Sequence, residues 1–419
     1  MGPIIVFDKS FMQSLSVDES VWFDHFFVAN VCPLFWVETL ADLAKAAHSG
    51  STPEQEVARI ADKFPDLGGT PNAYHRGIIL SELMGAAIPI TGQILVVGGH
   101  THKQKEFTRT AFDQFPEASA FMRWQNRSFM ELERSFASVW RRDLENLDLE
   151  DLVHSAPEVL NKGAACRNLE EAKDLADMFV NDSSQASRHI DLLLRLLSYS
   201  DAEKATIRSR WETSGCPPLA EYSPYAAFVL RVELFFRAAL SGGVIATTRP
   251  SNRTDIAYLY YLPFCMVFVS SDKLHRRCAP LFLRPNQDFV WGPDLKADLR
   301  QINGHFWAFP DEDKAKGIMA FACRPPDDSI TADLWDRHLA KGWRKRPKPT
   351  DQMNPEALAK FVSLAQGAIK GNGDLSDKQP EHDPDLMVFR RVVRRRKGSW
   401  HQVPSPDADK ENEDTGAPS

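Results

Sequence analysis

The chain opens on a continuous apolar run, Ile4-Ile5-Val6-Phe7, which Asp8-Lys9-Ser10 stops. A short β-branched run that is apolar on both faces predicts a buried strand. Phe26 to Cys32 repeats the pattern and predicts a second strand. Pro33 follows, and its fixed φ and missing N–H suit the first turn of a helix; Leu34 to Lys45 keeps a helical pattern. Strand, helix, strand, helix over residues 1–45 predicts an α/β opening.

Residues 46–224 change character and read as helical. The stripe Phe121, Trp124, Phe129, Leu132, Phe136, Val139, Trp140 and Leu144 alternates with Arg123, Arg127, Arg134, Arg141 and Arg142. At helical spacing this predicts a core-facing stripe with a solvated basic flank, ahead of a nucleic-acid surface. Ile190 to Leu197 predicts another helix. Tyr225 to Leu240 predicts a long one ended by Gly242-Gly243, followed by a strand-like Val244-Ile245-Ala246-Thr247. Asn252 or Thr254 is a candidate N-cap for a helix through Leu262, with Pro263 as its stop. Cys265 to Val269 predicts a further buried strand, closed by Ser270-Ser271-Asp272.

Residues 225–300 therefore resume the α/β pattern, 301–400 form a mixed C-terminal extension, and 401–419 an acidic tail expected to be disordered. The extension carries two basic runs, Lys341, Arg344, Lys345, Arg346, Lys348 and Arg390, Arg391, Arg394, Arg395, Arg396, Lys397. Such runs serve as phosphate contacts or as solvated faces.

Composition narrows the class. Hydrophobic residues at 43% and charged residues at 26% exclude wholesale disorder. Fifty Lys+Arg against 57 Asp+Glu, net −7, exclude a basic nucleic-acid coat while permitting local patches. The six cysteines are scattered with no C-x-x-C, so buried reduced thiols are expected rather than disulfides or a zinc site. No secretory signal is read at the N-terminus. Met84 to Gly99 contains Pro89 and Gln93 and is too short for a membrane span. A cytoplasmic protein without membrane contact is expected, with a homo-oligomer left open.

The chemistry is in the placement of the acids. Asp8 and Asp272 each end a predicted strand, and in an open parallel sheet strand ends form the ligand crevice. Glu38 and Asp42 are i and i+4 on one predicted helix and share a face. Asp255 falls in the first turn of its helix, where the macrodipole favours an anion. Acids converging there without matching Lys or Arg predict hard divalent cations, Mg²⁺ or Mn²⁺. Such a site suits in-line attack on a phosphodiester.

These residues carry a family resemblance. Ile4 to Ser10 resembles the opening strand and first aspartate of PIN-like nuclease domains. Pro33 through Glu38-Thr39-Leu40-Ala41-Asp42-Leu43 resembles the helix that bears their glutamate. Asp255-Ile256-Ala257-Tyr258-Leu259 with Ser270-Ser271-Asp272 resembles their late acidic pair. The resemblance spans residues 1–45 and 225–300. It implies a three-layer α/β/α core with a parallel sheet and metal-dependent cleavage of RNA ahead of DNA. Asp8, Glu38, Asp255 and Asp272 are then catalytic metal ligands, with Asp42 an outer candidate. Ser10 is placed to bond a metal-bound water or phosphate oxygen, or only its own turn. Arg276 and Arg277 are the expected substrate contacts. The helical insertion 46–224 and the C-terminal extension depart from a minimal domain of this type. The alternative is an inactive relative kept for nucleic-acid binding or assembly.

A competing signal is Gly98-Gly99-His100-Thr101-His102 after an apolar run, which resembles the G-H-x-H of calcineurin-like metallophosphoesterases. Their other motifs are absent, so a polar loop is the preferred reading. No G-x-S-x-G, Walker loop or G-x-G-x-x-G occurs.

Overall fold

The computed structural model describes residues 2–45, 50–96, 100–103, 108–111, 116–155, 166–197, 199–345 and 394–403. They fall into two compact units, one of residues 1–97 and 115–299, the other of 98–114 and 300–419.

The first unit is an α/β fold on a five-stranded, wholly parallel sheet. Its strands are β1 (Ile4–Phe7), β2 (Val28–Val31), β3 (Thr70–Pro71), β6 (Val267–Ser270) and β7 (Asp288–Trp291), in the order β3-β2-β1-β6-β7. Between β3 and β6 in sequence lie the strands β4 (His100–Lys103) and β5 (Thr108–Ala111) of the second unit. β1 is central: Ile5 pairs with Ala29 on one side and Val267 on the other. Ile5, Val6 and Phe7 are fully buried, as a strand apolar on both faces requires. Phe7 meets Phe23 and Phe35 edge-on at 5.5 and 5.0 Å between ring centroids.

Helices run between the strands. Ser16 caps Val17–Phe26 in a capping box with Glu19. Pro33 opens Pro33–Ala41, which tightens into a 3-10 turn at Asp42–Ala44. Pro224–Ser241 is the long buried helix, and Asn252–Ala257 continues as a 3-10 run over Tyr258–Phe264 that includes Pro263.

Ser251 rather than Asn252 or Thr254 precedes the helix Asn252–Ala257, and Pro263 lies inside the 3-10 run rather than stopping it. Three larger expectations are also corrected. The edge strand β3 comes from residues read as helical; two residues ending in proline carry no alternation, and an edge tolerates proline. Val244–Thr247 is not a strand, because the N–H groups of Val244 and Ile245 both turn back to Ala239 O and close the preceding helix. The arginine-flanked stripe is only half core. Phe121 and Trp124 are buried against Trp36 and Phe64. In Glu131–Glu145, by contrast, Leu132, Phe136 and Val139 are exposed and Ala137 is buried.

The second unit pairs β4 with β5 antiparallel, and β8 (Arg396–Lys397) with β9 (Trp400–His401). Trp400 is buried against Phe321 and donates its indole N–H to Asn303 at 2.8 Å. Lys397 is 1% exposed, so the second basic run is not solvated throughout. Arg346, Lys348, Arg390, Arg391 and the tail from Pro404 lie outside the described residues. All six cysteines are free, and Cys32, Cys166, Cys265 and Cys278 are buried as expected. No helix among the described residues is long and apolar enough to cross a membrane.

Candidate active site at the carboxyl edge of the sheet

The strand order reverses at β1, with β2 on one side and β6 on the other. Chains leaving neighbouring parallel strands in opposite directions open a crevice at their carboxyl ends. Asp8 follows β1 there, and Ser270 and Asp272 end and follow β6.

Asp8 is buried and caps the helix Lys9–Ser14 through Phe11 N–H at 3.0 Å. Its Oδ2 accepts from Ser10 Oγ at 2.6 Å and Ser270 Oγ at 2.9 Å. Burial raises the cost of its charge, but the bonding and charge of His275, with Ser10 and Phe11 N–H, hold its pKa below the usual value. His275 is fully buried on the helix Lys273–Cys278. Its Nε2 lies 2.6 Å from Asp255 O, and its Nδ1 lies 2.7 Å from Ser270 Oγ and 3.5 Å from Asp8 Oδ2. The carbonyl compels Nε2 to donate. The single Ser270 hydroxyl hydrogen goes to Asp8, so Nδ1 donates as well, which describes an imidazolium. Burial alone depresses its pKa; Asp8 and Asp255 outweigh that and push it up to about 9.

The other acids rim this floor. Glu38 accepts from Tyr258 OH at 2.5 Å; burial, with Asp255 and Asp8 nearby, pushes its carboxyl up to about 7 against the opposing pull of Lys9. Burial likewise raises Asp255 to about 6, with Asp272 and Asp8 adding to it and His275 and Arg249 opposing. Asp255 Oδ2 is buried with no hydrogen-bond partner, and so is Ser271 Oγ beside Asp272. Asp272 caps its helix through Leu274 N–H at 2.6 Å and lies 3.6 Å from Arg249.

Four carboxylates from four separate elements thus share one electrostatic neighbourhood. No family model, curated protein or solved structure matches the chain.

The remaining sequence candidates sort clearly. Asp42, the outer candidate, is buried and pairs with Lys9 at 2.6 Å. Ser10 makes the local bond to Asp8. Arg276 and Arg277 are exposed, and Arg276 lies 4.8 Å over the Trp291 ring. For His100 and His102 the backbone forms β4 rather than a loop. Sequence reading missed His275, Ser270 and Tyr258. The available signal was the position of His275 one helical turn past Asp272, which turns it back toward the strand end.

Among the described residues no group of three or more His, Cys, Asp and Glu side chains is arranged to hold a metal. Asp8, Glu38 and Asp272 each accept hydrogen bonds, from Ser10 and Ser270, from Tyr258, and from Leu274 N–H. The residues nevertheless fit Mg²⁺ or Mn²⁺ in kind. The donors are all hard oxygens, one is buried and unpartnered, and Mg²⁺ commonly takes one or two carboxylates and keeps several waters.

Proposed function

We propose that the chain is a divalent-metal-dependent nuclease with a PIN-like α/β/α core, hydrolysing phosphodiester bonds in RNA. The observation that carries this reading is the unpartnered, buried Asp255 Oδ2 among carboxylates whose charges oppose one another. A fold kept only for shape gains nothing from that arrangement, and strongly perturbed groups in a crevice mark functional sites.

Asp255 would offer the unpartnered oxygen to Mg²⁺ or Mn²⁺, with Asp272, Glu38 and Asp8 as the other acids that would help hold it. When bound, the ion activates water and stabilises developing charge on the departing oxygen. In the metal-free protein Glu38 is raised to about 7 by burial and held in place by Tyr258, so it would be brought to its charged form by a bound cation. Asp8 is fixed by Ser10, Ser270 and His275 and holds the floor of the crevice anionic. Arg276 and Arg277, at the exposed end of their helix, offer cations to substrate phosphates.

A second reading, an inactive PIN-like protein that binds nucleic acid or serves assembly, is favoured by a different observation. His275 and Lys9 neutralise part of the acidic charge from within. One experiment separates the two: cleavage of single-stranded and structured RNA by purified protein with Mn²⁺ or Mg²⁺. The nuclease reading expects cleavage that stops in EDTA and disappears in Asp255→Asn. Cleavage that survives excess chelator overturns the metal reading, and Mn²⁺-independent RNA binding without cleavage supports the second.

A further inference from the structure

At the opposite, amino-terminal edge of the sheet lies a cavity of ≈ 350 Å³ that the acidic site does not use. It falls within the roughly 300–1,000 Å³ typical of small-ligand pockets. The residues before β6 and β7 form one side, with Pro263 and the loop Leu281–Gln287. The helices Leu169–Asn181 and Pro224–Ser241 form the other.

Its cations are built in. Gln287 is buried, and its amide N–H group donates to Leu262 O and Cys265 O, both at 2.6 Å. That anchor turns its Oε1 toward Arg284, which donates to it from the backbone N–H at 3.0 Å and from Nε at 3.2 Å. A second guanidinium nitrogen donates to Ile90 O. The third, Nη2, is buried with no partner. A guanidinium fixed on two sides, with its third nitrogen left without a partner and the residue lining the cavity, brings a charge whose ordering cost is met on folding. Lys173 and Arg231 add two cations, which share the one carboxylate of Asp177 at 2.6 Å each. Three cations against one acid leave a surplus of two positive charges in the lining. The rest is apolar and aromatic: Phe228 and Phe282 stand edge-to-face at 6.2 Å, with Leu281, Leu283 and two prolines around them.

We propose that this cavity binds a small organic phosphate carrying a flat, uncharged ring, a mononucleotide in its simplest form. A dianionic phosphate matches two surplus charges better than a carboxylate does. The aromatic walls give a ring system contact area without reading its edge, since the Gln287 amide is already committed. Adenine and uracil nucleotides are therefore both accepted. This site is independent of the metal reading.

The test is calorimetric titration of the full-length protein in excess EDTA with 5′-AMP, 5′-UMP, adenosine and inorganic phosphate. Both nucleotides bind, one per chain, while adenosine and phosphate each bind at least about tenfold more weakly. Arg284→Met weakens nucleotide binding about tenfold or more. Leu283→Trp fills the cavity without touching a charge and abolishes binding, with melting curves verifying that both variants fold. Three results overturn the proposal: no binding of either nucleotide, inorganic phosphate binding as tightly as 5′-AMP, or undiminished binding in folded Leu283→Trp. Because metal is chelated throughout, neither success nor failure bears on the nuclease assignment.

Discussion

His275 Nδ1 stands 3.5 Å from Asp8 Oδ2, and both side chains are almost wholly excluded from water. The pair joins the carboxyl ends of β1 and β6, while the other imidazole nitrogen ties down the Asp255 backbone. Three of the elements that carry the acidic site are thus held by one cation.

Removing that cation is costly. His275→Asn leaves the Asp8 charge buried without its counter-charge, and breaking such a pair costs roughly 3–5 kcal/mol. The histidine's folded pKa, about 9, lies above the ordinary value of 6.5. Its stabilisation is therefore fully present below about pH 6.5 and lost as pH rises through 9. Urea melts of both proteins at pH 6 and pH 9.5 should show a large gap at the first and a much smaller one at the second.

The rim acids act over a lower range. Glu38 and Asp255 have folded pKa values of about 7 and about 6, above their ordinary 4.5 and 3.8. The folded state then binds more protons than the unfolded state between about pH 4 and 7, so their contribution falls as pH rises through that window. Chelated Glu38→Gln protein should lose less stability from pH 4.5 to 7 than the parent does. Equal slopes for parent and mutant in paired melts would rule out Glu38 as a titrating group.

Asp255→Asn removes a charge opposed by its neighbours while keeping the shape. The chelated mutant should be at least as stable as the parent at pH 7. Mn²⁺ should no longer raise its melting temperature, and RNA cleavage should drop by at least about a hundredfold. Melts with and without Mn²⁺, run beside a cleavage assay, check all three. A destabilised mutant with full activity would contradict the site assignment.

Asp24 tests the fold apart from the site. Its buried carboxylate accepts from Asp66, Leu67 and Gly68 N–H at 2.7, 2.8 and 2.6 Å and pins the loop that leads into β3. A Cβ on Gly68 would stand 2.6 Å from Phe27 O, so the loop has little room to shift toward other partners. Asp24→Ala strands three N–H groups and should cost roughly 2–4 kcal/mol in denaturant melts, without changing Mn²⁺ binding.

The acidic quartet was legible because each member sits at a position with a local signature. Asp8 and Asp272 follow β-branched runs, Glu38 lies inside a helix opened by Pro33, and Asp255 lies in a first helical turn. The stripe around Phe136 was misread because periodicity shows that a helix has an apolar face, not which face a neighbour covers. Glu131–Glu145 buries Ala137 and draws Glu133 into contact with Arg123 and Trp124, leaving Leu132 at 77% exposure.

The amino-acid order alone determined three of the five parallel strands, β1, β2 and β6, the helices that follow β1 and β2, and the acids Asp8 and Asp272 that follow β1 and β6, because backbone propensity and burial act over a few residues. The edge strands β3 and β7 were not legible in it. Tertiary structure decided which of those acids meet, and that His275, Ser270 and Tyr258 meet them. It also decided that two residues at 70–71 complete the sheet and that Gln287 turns Arg284 toward a cavity. These are pairings between side chains far apart in sequence. Their energy comes from hydrogen bonds and charge pairing that offset the cost of desolvation within a shared enclosure, and no local pattern encodes an enclosure until the chain has closed around it.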